Sequence, residues 1–207
     1  MPGMHAMKLP QVRGVLDRLP VKYAALAAIG VTAGCRITEV LMLQRGDLLT
    51  RDGAIRDRIC YVNLKKRGKA FHHRRLVIPK SWRNYIVRHL RADELRGYDR
   101  PDDLVFRGNC GSPLRRQTVW RVFRDVLGKG YGTHWMRKTF AQEMFREFMR
   151  TAPADPMRAL ELTRQALGHA RIDTTVRYLG IDAGAVDRAQ DAVFSGKGKR
   201  DGKRKKR

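Results

Sequence analysis

The stretch LGHARIDTTVRYLGID, residues 167–182, sets His169 and Tyr178 nine positions apart. Between them TTV opens a short helix, and Asp173 is its expected N-cap, since a side-chain oxygen there can accept from the free N–H groups of the first turn. Such a helix presents Tyr178 on a short, partly exposed element. A phenol so placed becomes a nucleophile toward phosphorus only if cationic neighbours stabilise its ionised form and the charge gathering on the phosphate. Without them it is a surface tyrosine whose ring packs on the core.

Cations are abundant in this chain. It has 207 residues with 44 Lys and Arg against 20 Asp and Glu, a formal net charge of +24. Residues 196–207 hold eight basic residues and one Asp, a net of +7, which leaves +17 on the remainder. A surface of that kind wants a polyanion, with double-stranded DNA the leading candidate. A membrane surface is disfavoured because no amphipathic lipid-facing stretch accompanies the charge. The hydrophobic content of 43% is that of a globular protein, and no apolar run reaches the length of a membrane span. MPGMHAMKLP lacks an apolar h-region, so no secretory signal is expected. Cys35, Cys60 and Cys110 are widely spaced and form no CxxC pair, which fits a reducing cytoplasm better than a disulfide framework or zinc ribbon. One domain is expected over 1–194, followed by a basic tail, 195–207, too polar to bury a core and disordered until it meets its partner.

Hydrophobic periodicity predicts a mainly α chain with a small antiparallel β-hairpin, an α+β fold. Val12, Val15, Leu16 and Leu19 give one face to a first helix, Pro20 punctuates, and an Ala-rich, buried helix runs from Val21 to Val31. Gly34 ends it and Thr38 is the expected cap of the next, whose Val40, Leu41 and Leu43 point inward. Arg36 therefore falls in a joint between buried helices, where a charge is costly without a partner such as Glu39. Ile59, Tyr61, Leu76, Val77 and Ile78 read as strands around a basic tip, KKRGKAFHHRR, with Gly68 at the bend. Lys65, Lys66, Lys69, Arg74 and Arg75 suit phosphates, and His72 and His73 belong to that surface rather than to a metal site. A helix over Ser81–Leu95 buries Trp82, Tyr85, Ile86 and Leu90. GYDRPDD is a turn-rich connection, and Leu104, Val105 and Phe106 form a short apolar segment. Val119, Val122, Phe123, Val126 and Leu127 mark an amphipathic helix whose Arg115, Arg116, Arg121 and Arg124 face outward toward a DNA backbone or groove. After a glycine-punctuated loop, His134 and Arg137 share a helical face, and Phe140, Met144, Phe145 and Phe148 point inward. Asp155 caps a further helix that opens on Pro156, and Ala183–Phe194 is a last short helix.

GCRITEVLML, the lysine-bearing hairpin, HWMR, LGH and VRY occur in this order, and together they resemble the catalytic domain of the tyrosine recombinases, the phage integrase family, over about residues 21–182. In size the chain is similar to the short fimbrial-type invertases, in which no separate N-terminal clamp domain is present. By that resemblance Arg36 matches the first catalytic arginine, with Glu39 its companion. Lys66 matches the hairpin lysine, with Lys65 and Lys69 as open alternatives. His134 and Arg137 match the H-x-x-R pair, His169 the LGH histidine and Tyr178 the nucleophile. Arg137 and His169 are 32 positions apart, which implies an insertion in the loop around Pro153.

The resemblance implies site-specific DNA breaking and rejoining through a 3′-phosphotyrosine, as in integrases, invertases and resolvases. Two arginines offer planar, bidentate donors to the non-bridging oxygens of the attacked phosphodiester. His134 would accept or orient the Tyr178 proton, Lys66 would protonate the leaving 5′ oxygen, and His169 would hydrogen-bond a phosphate oxygen. The bond energy is conserved in the protein linkage, so neither metal nor nucleotide cofactor is implied. A homo-tetramer on paired sites is implied too, with Ala183–Phe194 the candidate exchanged helix, and accessory DNA-bending proteins are compatible with it. The setting implied is a nucleoid-associated enzyme of a bacterium, plasmid or phage. The competing readings are a non-catalytic regulator on the same scaffold and a structural nucleic-acid-binding protein.

Overall fold

A computed structural model describes residues 5–62, 73–108, 111–151 and 155–179, the side chains of 60–62 and 73–76 excepted. The described residues are mainly helical with one antiparallel hairpin, as the periodicity predicts. Helix α1 (Leu9–Leu16) buries Val12 and Leu16, and α2 (Val21–Ala33) follows Pro20. Small side chains cover α2, so other helices approach it closely from two sides: α5 (Arg83–Glu94) and α7 (Trp135–Thr151) both pack on it. At Gly30 a Cβ would stand 2.5 Å from Met136 Sδ, so the α2–α7 contact depends on the missing side chain.

Gly34 terminates α2 in the left-handed region, φ +60°. Helix α3 (Ile37–Leu41) then begins earlier than expected. Arg36, not Thr38, occupies the N-cap position, because the Glu39 carboxylate reaches back to accept the Arg36 backbone N–H at 2.7 Å. That bond satisfies one of the donors that a helix start leaves open. The short α4 (Arg45–Leu48) leads to the hairpin β1 (Arg58–Val62) and β2 (His73–Val77), whose register runs from Arg58 opposite Val77 to Val62 opposite His73. Ile59 and Ile78, both fully buried, root the hairpin in the core. Its basic tip, with Gly68, His72 and the candidate lysines, lies outside the described residues.

The 3₁₀ turn Lys80–Trp82 buries Trp82 and α5 buries Ile86 and Leu90 as expected, whereas Tyr85 is only half-buried, its hydroxyl donating to Asp17. Helix α5 also buries two groups that periodicity did not single out. His89 donates from Nε2 to the Val105 carbonyl at 2.8 Å, and Asp93 pairs with Arg107 at 2.9 Å. Burial holds the His89 imidazole below its ordinary pKa, against the opposing pull of Asp93. The amphipathic helix is α6 (Arg116–Leu127), with Val119 and Phe123 inward and Arg115, Arg116, Arg121 and Arg124 exposed.

Helix α7 departs from expectation. Its fully enclosed residues are Trp135, Met136, Arg137, Thr139 and Ala141, whereas Phe140, Met144, Phe145 and Phe148 are only half-buried. The second half of α7 leaves the main core, and Phe140 and Phe145 pack against a smaller cluster with α8 (Pro156–Leu167) and α9 (Ile172–Leu179) that covers them incompletely. Asp155 caps α8 as expected, its Oδ1 accepting the Arg158 N–H at 2.8 Å, and Gly168 ends it at φ +63°. Asp173 is not the cap of α9 but a first-turn residue, since the helix starts at Ile172. Its carboxylate pairs with Arg171 at 2.8 Å. No described helix is long and apolar enough to cross a membrane.

Candidate active site

The site forms where three chain reversals meet: the Gly34 cap of α2, the turn before α7, and the Gly168 cap of α8. Arg36 stands just past the first. Its guanidinium donates from Nη1 to Glu39 Oε1 at 2.8 Å, and its side chain is 18% exposed while that of Glu39 is 1% exposed. Glu39 is thus committed by both oxygens to one residue, to its backbone N–H and to its guanidinium. A charge-assisted pair of this kind fixes the plane of the arginine and leaves its outer edge open to an anion.

Arg137, one turn into α7, is 2% exposed. Its Nη1 donates to the Gly34 carbonyl and its Nη2 to the Leu167 carbonyl at 2.7 Å. Both acceptors are carbonyls at helix C-termini, which carry partial negative charge and suit a buried cation. The arginine therefore staples the end of α2 to the end of α8. Gly34 permits this twice over. Its φ favours glycine, and a Cβ there would stand 2.3 Å from the Phe140 ring.

His134 precedes α7 and faces Tyr178 from α9, with 2.9 Å between His134 Nδ1 and the Tyr178 hydroxyl. The Arg137 guanidinium carbon lies 5.8 Å from the Tyr178 ring centre, and the His169 ring 5.2 Å from it. His169 is 5% exposed and hydrogen-bonds Thr175 Oγ1 through Nδ1 at 2.9 Å.

Burial raises the Tyr178 pKa above its ordinary value of 10.0, and the charges of Arg137 and Arg36, with a hydrogen bond from Arg137, oppose that rise. Burial lowers the His134 pKa below 6.5, reinforced by Arg116, Arg137, Lys138 and Arg36. Both groups are therefore neutral at pH 7. In the tautomer with its proton on Nε2, a neutral His134 accepts the phenol O–H at Nδ1, which is the geometry a general base needs.

Five of the six sequence candidates for catalysis, Arg36, His134, Arg137, His169 and Tyr178, come together here from positions up to 142 residues apart. Lys66 and its alternatives Lys65 and Lys69 lie outside the described residues, and Arg74 and Arg75 are described only as backbone in β2. Arg116, expected on a DNA-facing helix, also contributes the largest charge effect on His134. Sequence reading missed Thr175, the Gly34 and Leu167 carbonyls, and Arg164. The last holds the His169 loop by donating to the His169 carbonyl while its other nitrogens pair with Glu161, whose carboxyl it pushes down to about 2. Of these only Thr175 carried a signal, its place within TTV before Tyr178.

The phage integrase family profile matches residues 4–184. The chain belongs to this family. It is 24% identical over 168 residues to tyrosine recombinase XerH of Campylobacter jejuni, covering 78% of this chain and 42% of that protein. It is 25% identical over 194 residues to the probable integrase/recombinase YoeC of Bacillus subtilis, covering 91% of this chain and 93% of YoeC. In fold it is similar to the XerH site-specific recombinase in a post-cleavage complex with palindromic difH substrate, with a TM-score of 0.64 at 20% identity over 91% of this chain and 53% of that one. The chain spans about half the length of the Xer relatives it matches.

Proposed function

We propose that this protein is a site-specific DNA recombinase that cleaves and rejoins DNA through a 3′-phosphotyrosine on Tyr178. The observation that carries the reading is the 2.9 Å contact of the Tyr178 hydroxyl with His134 Nδ1, beside two arginines that are themselves held by built-in acceptors. In this reading Arg36 and Arg137 bind the non-bridging oxygens of the scissile phosphodiester and stabilise the charge that gathers on them. The phenol oxygen attacks phosphorus while its proton passes to His134. The bond to the 5′ oxygen breaks, and that oxygen takes a proton from Lys66 of the hairpin. His169 donates to a phosphate oxygen. Attack by a 5′-hydroxyl from a second duplex reverses these transfers and releases Tyr178, so the linkage energy is conserved throughout.

DNA is the partner this reading requires. The exposed Arg115, Arg116, Arg121 and Arg124 of α6 and the hairpin residues Lys65, Lys69, Arg74 and Arg75 supply its phosphate contacts. Exchange between two duplexes calls for an assembly of four chains, in which 183–194 would pack on a neighbour, with accessory DNA-bending proteins compatible. A nicked duplex carrying the target site, itself selected from a random pool by the Tyr178→Phe protein, tests the reading. The wild type should become covalently joined to it and Tyr178→Phe should not. Stable binding without any covalent product would leave only a DNA-binding protein.

A further inference from the structure

His169 is held on two sides. Its backbone is fixed to the end of α8, the amide donating to the Arg164 carbonyl at 3.1 Å and the carbonyl accepting from the Arg164 guanidinium. Its ring is fixed by α9. Thr175 is fully buried, and its hydroxyl lies 2.9 Å from His169 Nδ1. Three other helical threonines turn the hydroxyl back onto the carbonyl four residues earlier, Thr32 onto Ala28 at 2.7 Å, Thr163 onto Ala159 at 2.8 Å and Thr151 onto Glu147 at 3.0 Å, while Thr139 accepts the Met7 N–H at 2.9 Å. Thr175 has its recorded partner across the interface, on the helix turn that three residues later carries Tyr178.

A neutral imidazole has one N–H, and the nitrogen that carries it depends on what the other nitrogen meets. We propose that Thr175 is a positioning residue that donates its hydroxyl proton to His169 Nδ1 and so keeps the ring proton on Nε2, turned into a donor for a phosphate oxygen beside Tyr178. The inference rests on the phosphoryl-transfer reading above. A proton on Nδ1 would make Nε2 an acceptor, which repels the oxygens of a phosphodiester. The same hydrogen bond ties the orientation of His169 to the seating of α9, so the phosphate donor and the nucleophile are set in place together.

The ¹⁵N spectrum of the histidine rings in the labelled full-length protein tests this, with the His169 signals assigned by their loss in His169→Gln. The wild type should show His169 protonated on Nε2 and bare on Nδ1. Thr175→Val, close in shape but without the hydroxyl, should lose that preference, and Thr175→Ser should keep it. A wild-type ring protonated on Nδ1, or a Thr175→Val ring indistinguishable from wild type, would overturn the proposal. The wild-type spectrum decides even if the valine variant does not fold. In covalent trapping on the selected nicked duplex, Thr175→Val should be slower by about tenfold, equivalent to about 1.4 kcal/mol, with Thr175→Ser near wild type. Trapping by Thr175→Val at the wild-type rate would also overturn it. Absence of any covalent product with the wild-type protein would sink the recombinase reading instead, while the ring spectrum still decides the role of Thr175.

Discussion

Arg137 and Gly34 lie 103 residues apart in sequence and are joined by a hydrogen bond from the guanidinium to the carbonyl of a left-handed helix cap. The cap that ends α2 is thereby also a wall of the candidate site. In Gly34→Ala the added Cβ meets a positive φ and the Phe140 ring together. Strain of about 1–2 kcal/mol for the backbone and about 1–3 kcal/mol for overpacking should lower the urea-unfolding free energy. Gly53→Ala is the control, since φ there is +79° with nothing within 4 Å of the added carbon, and it should cost only the backbone share. Equal losses in the two variants would show that the Phe140 contact has no weight.

Glu39→Ala should lower stability by about 1–3 kcal/mol, because it strips a largely buried guanidinium and a backbone N–H of their acceptor. Covalent trapping should fall more than the stability loss explains, since Arg36 loses the group that fixes its plane. Glu39→Gln, which keeps one accepting oxygen, should fall between the two. The comparison needs unfolding curves and trapping rates on the same preparations.

The pH dependence of trapping should be one-sided near neutrality. His134 must be uncharged to take the phenol proton, and its folded pKa is lowered, so the rate should hold from pH 7 down past 6.5 and fall only at lower pH. The linkage to stability has the same sense. The unfolded histidine binds a proton below about 6.5 and the folded one does not until lower pH, so this contribution is present above 6.5 and is lost as pH falls toward the folded pKa. Tyr178 gives the opposite limb: its folded pKa is raised, so its contribution is present below 10.0 and is lost as pH rises beyond it. A His134→Gln protein that kept the acid limb of the wild type would refute the assignment to His134.

DNA affinity should fall steeply with salt, the logarithm of the binding constant dropping by about 0.9 per phosphate neutralised for each unit of log salt. Replacing Arg121 or Arg124 by Ala should reduce that slope by about one each if the exposed face of α6 meets the backbone. A slope near zero for the wild type would contradict the polyanion reading altogether.

Asp155→Ala removes a side-chain cap at the far end of α8 from His169 and should cost about 1 kcal/mol. Trapping by the folded protein should be unchanged. A trapping defect larger than the unfolded fraction accounts for would mean that the start of α8 moves its end.

Much of this was legible in the sequence because it depends on local pattern. Gly34, Asp155 and Pro156 punctuate helices wherever they fall, and the apolar periods of α1, α5 and α6 name most of their inner faces. The conjunction around Tyr178 was legible as motifs in order. What escaped was set by contact at a distance. Arg36 displaced Thr38 from the N-cap because the acceptor, Glu39, reaches back from the third helical position. The phenylalanines of α7 are half-covered because the helix passes from a large core to a small one, a change no period records. The backbone carbonyls that hold Arg137 have no side chain to announce them.

The phenol and both arginines belong to a single polypeptide, and α9 seats Tyr178 over its own chain's His134 and Arg137. On the recombinase reading, Tyr178→Phe and Arg137→Ala proteins should therefore fail to restore covalent trapping when mixed, and restored trapping would refute this seating. The number of strands cut at once would then count the chains that keep both the phenol and Arg137.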